Sequence, residues 1–378
     1  MGLIRITLWA TLAVLVDVAL ARAAFGAFVP SIRADLGIDF AGAGIVSSAN
    51  AIGYLITSGL APFITARIGV RTTAIAGHVL AALGFALSAL APSTALLVAM
   101  RVVSGLGGGA GMVAALRIAL DAADPERRVF VSTLAWAGAG LGLILAAFSV
   151  PWIGNPQTWR VAMWVCAALA LVIAMTSPKH AAAARAARPP AGAIATRISY
   201  PWRPSALIIL AYTLFGIGFL AYTTFAGVAS SHASPFVRFL SIGIAAIVGS
   251  LTVARTRHAE RAMLAYLLSG ALGAVFAIAQ LPLGDIFFGL GLTAVPGLAT
   301  AILRERAGAE AVIQALAYST VAVGLGQFLG PLIAGVAAQR SGIAWAFGTA
   351  GAAYILGAAL VAVDEIARHL SPRNSVAA

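Results

Sequence analysis

Two ionisable side chains, Asp17 and Arg22, stand in an otherwise uncharged apolar stretch over residues 6–29. A charge in the middle of such a stretch costs roughly 2.5–3.5 kcal/mol on insertion scales, so it normally faces a cavity or a partner. Asp17 is the one carboxylate placed deep in an apolar run, since Asp285 and Asp364 fall at run ends. A carboxylate that changes protonation as a cavity opens to either side is what proton coupling requires. The alternative is a permanent ion pair, for which Arg22 is a candidate partner, although five positions is off the ideal helical face. Arg22 and Arg101 each offer a permanently charged fork suited to a carboxylate or phosphate. Either could instead pair with Asp17 or reach out to the membrane surface.

A softer set of polar and aromatic residues accompanies these charges. Asn50 and Tyr54 are four apart and share a helical face, as do Gln314 and Tyr318. Trp136, Tyr212, Tyr222 and Thr223 lie in other apolar runs. A mainly apolar pocket with a few polar anchors suits a small amphipathic ligand. Tyr222, near a run end, is read as an interface anchor, and His78 as a packing residue inside its helix.

The elements that position these residues are long apolar runs. Hydrophobic residues make up 61% of the 378-residue chain and charged residues 10%, too few charges to cover a water-soluble domain of this size. About twelve runs follow one another, at 6–29, 41–66, 72–90, 96–116, 129–152, 161–176, 205–229, 236–254, 262–281, 286–303, 311–337 and 343–363. A bilayer crossing takes roughly 20 apolar residues as a helix, and without period-2 alternation the runs are not barrel strands. The fold class expected is an all-α membrane protein of twelve transmembrane helices in two six-helix bundles. The bundles are 1–176 and 204–378, joined by a basic cytoplasmic linker at 177–203. Loops opening at Arg67 and Arg255, and at Arg117 and Arg304, are each about half a chain apart, as a six-plus-six duplication leaves them.

The net charge of +12 follows from topology. With both termini in the cytoplasm, most of the 24 basic residues fall on the cytoplasmic side, where they meet anionic lipid. No basic patch on a soluble face points to nucleic acid. The first run is too long and too charged for a cleaved signal peptide. Enzyme readings fail: the glycines at 105–111 follow no strand and precede no Gly-Lys-Ser/Thr, no Gly-x-Ser-x-Gly is present, and the five histidines have no metal spacing. Cys166 is the single cysteine and can close no internal disulfide. No metal and no cofactor are expected.

Several motifs carry a resemblance to a known family. The loop after the second run has Arg67, Gly69 and Arg71, with Ala66 in place of the family's usual Asp and Val70 shifting the second basic residue by one. The fourth run carries Arg101-Val-Val-Ser-Gly105, and Trp159-Arg160 opens the sixth. The fifth has Gly138-Ala-Gly140-Leu-Gly142 without the Pro of the antiporter signature, and the eleventh has Gly326-Gln327-Phe-Leu-Gly330-Pro331. The chain resembles the major facilitator superfamily over nearly its whole length. Arg22-Ala-Ala-Phe25-Gly26 with Pro30, and Ser48-Ala-Asn50-Ala-Ile-Gly53-Tyr54, resemble its YbfB-type branch. The resemblance implies a secondary transporter of the bacterial inner membrane. It would be a monomer moving a small organic solute by alternating access coupled to protons, with export by antiport ahead of uptake of an anionic metabolite by uniport or proton symport, or a sensor role. It also implies that Arg67, Gly69 and Arg71 form a gating loop, and that the runs bearing Arg22 and Arg101 line the cavity.

Overall fold

The structure is a computed structural model that describes residues 2–149, 155–178, 205–228, 234–253, 255–281 and 283–370. Most of the expected linker lies outside them. The described residues contain twelve helices long and apolar enough to cross a membrane. They are α1 (Leu3–Leu20), α2 (Phe40–Ile68), α3 (Val70–Ala89), α4 (Thr94–Asp121), α5 (Arg128–Ser149) and α6 (Thr158–Met175), followed by α7 (Ala206–Ala226), α8 (Pro235–Val253), α9 (Ala259–Ile278), α10 (Gly284–Ala307), α11 (Tyr318–Ser341) and α12 (Ala344–Arg368). Without water in the hydrocarbon, a helix satisfies its own backbone groups. Side chains complete some ends: Asp39 accepts from the Gly42 N–H at 2.7 Å where α2 begins. Gly69, at φ +85°, takes the left-handed turn from α2 into α3 that a side chain would strain. The expected tenth and eleventh helices lie within one helical run, Gly284–Ser341.

The pairing of helices repeats. In the first half α1 packs on α5, α2 on α4, and α3 on both α4 and α6. In the second half α7 packs on α11, α8 on α10, and α9 on both α10 and α12. Each pairing therefore recurs six helices later. The halves meet along two seams, α2 with α11 and α5 with α8, which the same six-helix shift exchanges. Bare glycine backbone makes these approaches possible: Gly140 and Gly243 face each other across the α5–α8 seam, and Gly44 lies on Pro331 and Gly335 across the other.

Ion pairs fasten the ends. Away from the termini, Asp35 takes Arg160 at 2.8 Å and the Trp159 indole N–H at 3.0 Å. The second half does the same with Asp285, which takes Arg238 at 3.1 Å and the Tyr222 hydroxyl at 2.8 Å. Tyr222 is thus not the interface anchor expected: it is fully buried, stacked on Phe288 at 3.8 Å. At the terminus-bearing end Arg306 bridges Asp364 at 2.6 Å and Glu260 at 3.3 Å, joining α9, α10 and α12.

The first run departs from the single helix expected over 6–29. It is α-helical through Val14, widens to a π-helix over Leu15–Leu20, breaks at Ala21 and Arg22, and resumes as a 3₁₀ turn over Ala23–Ala27. A short helix, Val29–Leu36, follows, with Pro30 in its first turn where a missing N–H costs nothing. Hydropathy alone does not register such a break. The 3₁₀ turn lets α1 reach α7: a Cβ on Gly26 would collide with the Thr223 carbonyl, and one on Gly227 with the Gly26 carbonyl. The α1–α7 contact closes the end away from the termini. Gly26→Val is expected to hold that end apart. With cysteines at Phe40 and Gln339, whose backbone N–H and side-chain oxygen lie 3.1 Å apart, cross-linking should fall several-fold in that variant; an unchanged yield would contradict the closure.

Candidate functional site at the broken first helix

Asp17 lies in the π-helical segment, with its side chain fully buried. Its partner is His78 of α3, also fully buried, with Nε2 3.1 Å from Asp17 Oδ2. Neither Asp17 carboxylate oxygen accepts a well-aligned hydrogen bond from any described group. His78 Nδ1 donates to the Ala74 carbonyl at 2.7 Å, one turn back. Space for the pair comes from α4: a Cβ on Gly108 would lie 3.1 Å from Asp17 Oδ1, and one on Gly111 2.9 Å from His78 Nδ1. Trp9 of α1 closes the side, its ring centroid 6.3 Å from that of His78. The alternative in which Arg22 pairs with the Asp17 carboxylate is not what the structure shows. The helix breaks between the two, and Arg22 Nε donates instead to the Asp17 backbone carbonyl at 3.2 Å.

Arg22 points across the molecule. It donates through Nη1 to Gln327 Oε1 of α11 at 2.7 Å, and its guanidinium lies over the Tyr54 ring at 3.7 Å. Arg101 of α4 is fully buried. It donates through Nη2 to the Ala21 carbonyl at 2.6 Å and covers the Phe25 ring at 4.0 Å, while its Nε and Nη1 bond to no described group. Both guanidiniums satisfy backbone carbonyls that the break in α1 leaves without regular helical partners. Among the described residues neither forms an ion pair with a carboxylate. Buried cations without an anion are costly.

The other candidates divide. Asn50 donates to Ser104 Oγ at 2.9 Å and the Tyr54 hydroxyl to Met112 Sδ at 3.3 Å, so both hold α2 against α4 beside the charges. Tyr212 of α7 stacks on Phe215 with centroids 5.9 Å apart and lies within electrostatic reach of Tyr54 and Arg22. Trp136 is half-buried against the apolar core. Tyr318, at the start of α11, is exposed, well along the helix from Gln327. The Gln314 side chain lies outside the described residues. In the loop, Arg67 is exposed and Arg71 half-buried. Gln327 and the Asp17–His78 contact were not foreseen; Gln327 sat in a quoted motif, and nothing in the sequence aimed it at Arg22. No group of His, Cys, Asp and Glu among the described residues has the arrangement of a metal site.

Gly111→Val is expected to push into His78 and cost about 1–3 kcal/mol, the usual range for overpacking. A Cβ added at Gly59 would meet Val321 at 3.7 Å, an ordinary contact, so Gly59→Ala should be near neutral. Thermal unfolding of detergent-purified protein compares them, and equal stability would contradict the packing described.

Residues 14–362 match the family described as "Uncharacterised MFS-type transporter YbfB". The chain is 28% identical over 331 residues to a chloramphenicol resistance protein of Streptomyces lividans, across 81% of this chain and 82% of that protein. It is 26% identical over 216 residues to the inner membrane transport protein YdhP of Escherichia coli K12, across 55% and 54% of the two. Its fold superposes on the nucleoside transporter NupG with a TM-score of 0.75 at 14% identity, covering 96% of this chain and 99% of that one. The xylose transporter XylE of E. coli superposes with a TM-score of 0.75 at 16% identity, again over 96% and 99%. At those identities the two structures speak for the fold alone. The family match spans most of the chain, and the protein belongs to the major facilitator superfamily, in its YbfB-type family: a multi-pass membrane transporter, not an enzyme.

Proposed function

We propose that this transporter is a proton-coupled antiporter of the bacterial inner membrane, exporting a small organic solute in exchange for protons, with both termini in the cytoplasm. The observation that carries the reading is the fully buried Asp17 carboxylate at the break in α1. Broken helices with intramembrane ionisable groups mark substrate and ion sites in transporters. The halves, 1–176 and 204–378, rock against each other as a monomer along the α2–α11 and α5–α8 seams. Substrate sits between them, against Arg22, Asn50, Tyr54, Arg101 and Tyr212, with Trp136 and Tyr318 further out. The Arg22–Gln327 bond joins the halves at that point, so a ligand that takes over either partner acts on both. Arg67, Gly69 and Arg71 form the gate where α2 turns into α3. Export ranks ahead of uptake because of the likeness to a protein whose name is resistance.

A second reading, proton-coupled uptake of an anionic metabolite, is favoured by one observation: Arg22 and Arg101 are buried and lack a carboxylate. The direction of proton movement separates the two. In proteoliposomes, substrate and protons should move oppositely for antiport and together for uptake. Asp17→Asn is expected to reduce gradient-driven accumulation to background while leaving substrate exchange intact; full accumulation by that variant would exclude Asp17 as the coupling group.

A further inference from the structure

We propose that Asp17 and His78 form a single proton-carrying unit, holding one proton between α1 and α3 in the closed arrangement, so that His78 is the second member of the coupling site. The inference rests on the reading of this protein as proton-coupled.

The hydrogen count follows from the partners. A carbonyl oxygen only accepts, so His78 Nδ1, 2.7 Å from the Ala74 carbonyl, carries a hydrogen. Nε2 is then the one ring position free to gain or lose a proton, and it lies 3.1 Å from Asp17 Oδ2. With no proton between them, an unprotonated Nε2 lies 3.1 Å from a carboxylate that accepts no hydrogen bond from any described group. An ion buried in that state is strongly disfavoured. One added proton removes the conflict, either as imidazolium beside carboxylate or as imidazole beside carboxylic acid, and in both forms the pair is neutral. A second proton would leave a buried cation beside Arg22, whose Nε already lies on the Asp17 carbonyl. The unit thus binds one proton from water and returns one proton to water, with no other bond made or broken.

Other titratable or charged groups face the pair from the neighbouring helices. Cys166 of α6 and Tyr54 of α2 are within electrostatic reach of Asp17, and Arg101 of α4 is within reach of Cys166. None of them bonds to the Asp17 carboxylate or to Nε2. Gly108 and Gly111, three apart on α4, leave room for the two side chains. The members sit on different helices, so separating α1 from α3 exposes a carboxylate and an imidazole to water independently. Proton release is in this way tied to movement of the π-helical segment.

Substrate-free, detergent-purified protein suffices for the test. An infrared pH titration follows the Asp17 carboxyl band, identified by its loss in Asp17→Asn, and nitrogen NMR of labelled histidines follows His78, identified by its loss in His78→Gln. In the wild type the two signals should change in one coincident transition. In His78→Gln the Asp17 transition should move by at least about one pH unit, the coupling at which two sites titrate as a pair. Separate wild-type transitions, or an Asp17 band unmoved in His78→Gln, would overturn the shared proton even if Asp17→Asn abolishes proton-driven transport; that result leaves the transporter reading with Asp17 alone. The wild-type comparison decides the matter if a variant fails to fold, since Asp17→Ser and His78→Asn also remove the two signals and identify them.

Discussion

A break in a helix that crosses a membrane leaves backbone carbonyls and N–H groups with no water to turn to. In this protein the break falls in α1 between Leu15 and Ala27, and much of the site follows from how the freed groups are satisfied. Arg22 turns back onto the Asp17 carbonyl and Arg101 reaches from α4 to the Ala21 carbonyl. Two permanent cations are thereby fixed where a regular helix would have needed none. Aromatic faces, Tyr54 beneath Arg22 and Phe25 beneath Arg101, stabilise them in part. Arg101 keeps Nε and Nη1 without a partner among the described residues.

The duplication explains the architecture and makes the asymmetry of the site informative. Helix pairings recur six helices apart, yet the counterpart of the broken α1 is α7, an unbroken α-helix over Ala206–Ala226. The charged groups Asp17, Arg22, His78 and Arg101 all belong to the first half. The second half supplies neutral polar groups to the same place, Gln327 to Arg22 and Thr224 to Ser47 at 2.8 Å. At this place the charged groups are concentrated on one half and the other closes over them. The ion pairs that do hold elements rigidly, Asp35 with Arg160 and Asp285 with Arg238, join elements within a half and not across the seams.

How much of this was legible in the sequence depends on the kind of signal. The twelve crossings were legible, since apolar length is a one-dimensional property. So was the placement of Asp17, Arg22 and Arg101 inside the molecule, because a charge in an apolar run normally faces a cavity or a partner. The break in α1 was not: residues 15–25 contain no Gly or Pro, and the run is as apolar as a regular helix. His78 was discounted because one histidine in a helix says nothing of what faces it, and its partner is 61 positions away in the chain. Gln327 lies 305 positions from Arg22, a contact that depends on how the halves close. Gly108 and Gly111 read as packing residues among many glycines; only the geometry shows that they border the Asp17–His78 pair.

The central claim is that the substrate binds at the broken segment of α1, against Arg22. A thermal-shift screen of the purified protein over carboxylates and phosphates, sugars, and lipophilic cations tests this directly, with Arg22→Gln alongside. A ligand at 100 times its dissociation constant stabilises the folded state by about 2.7 kcal/mol. The account predicts that any compound stabilising the wild type loses that effect in Arg22→Gln. Stabilisation that survives the substitution undiminished would place the substrate elsewhere and contradict it.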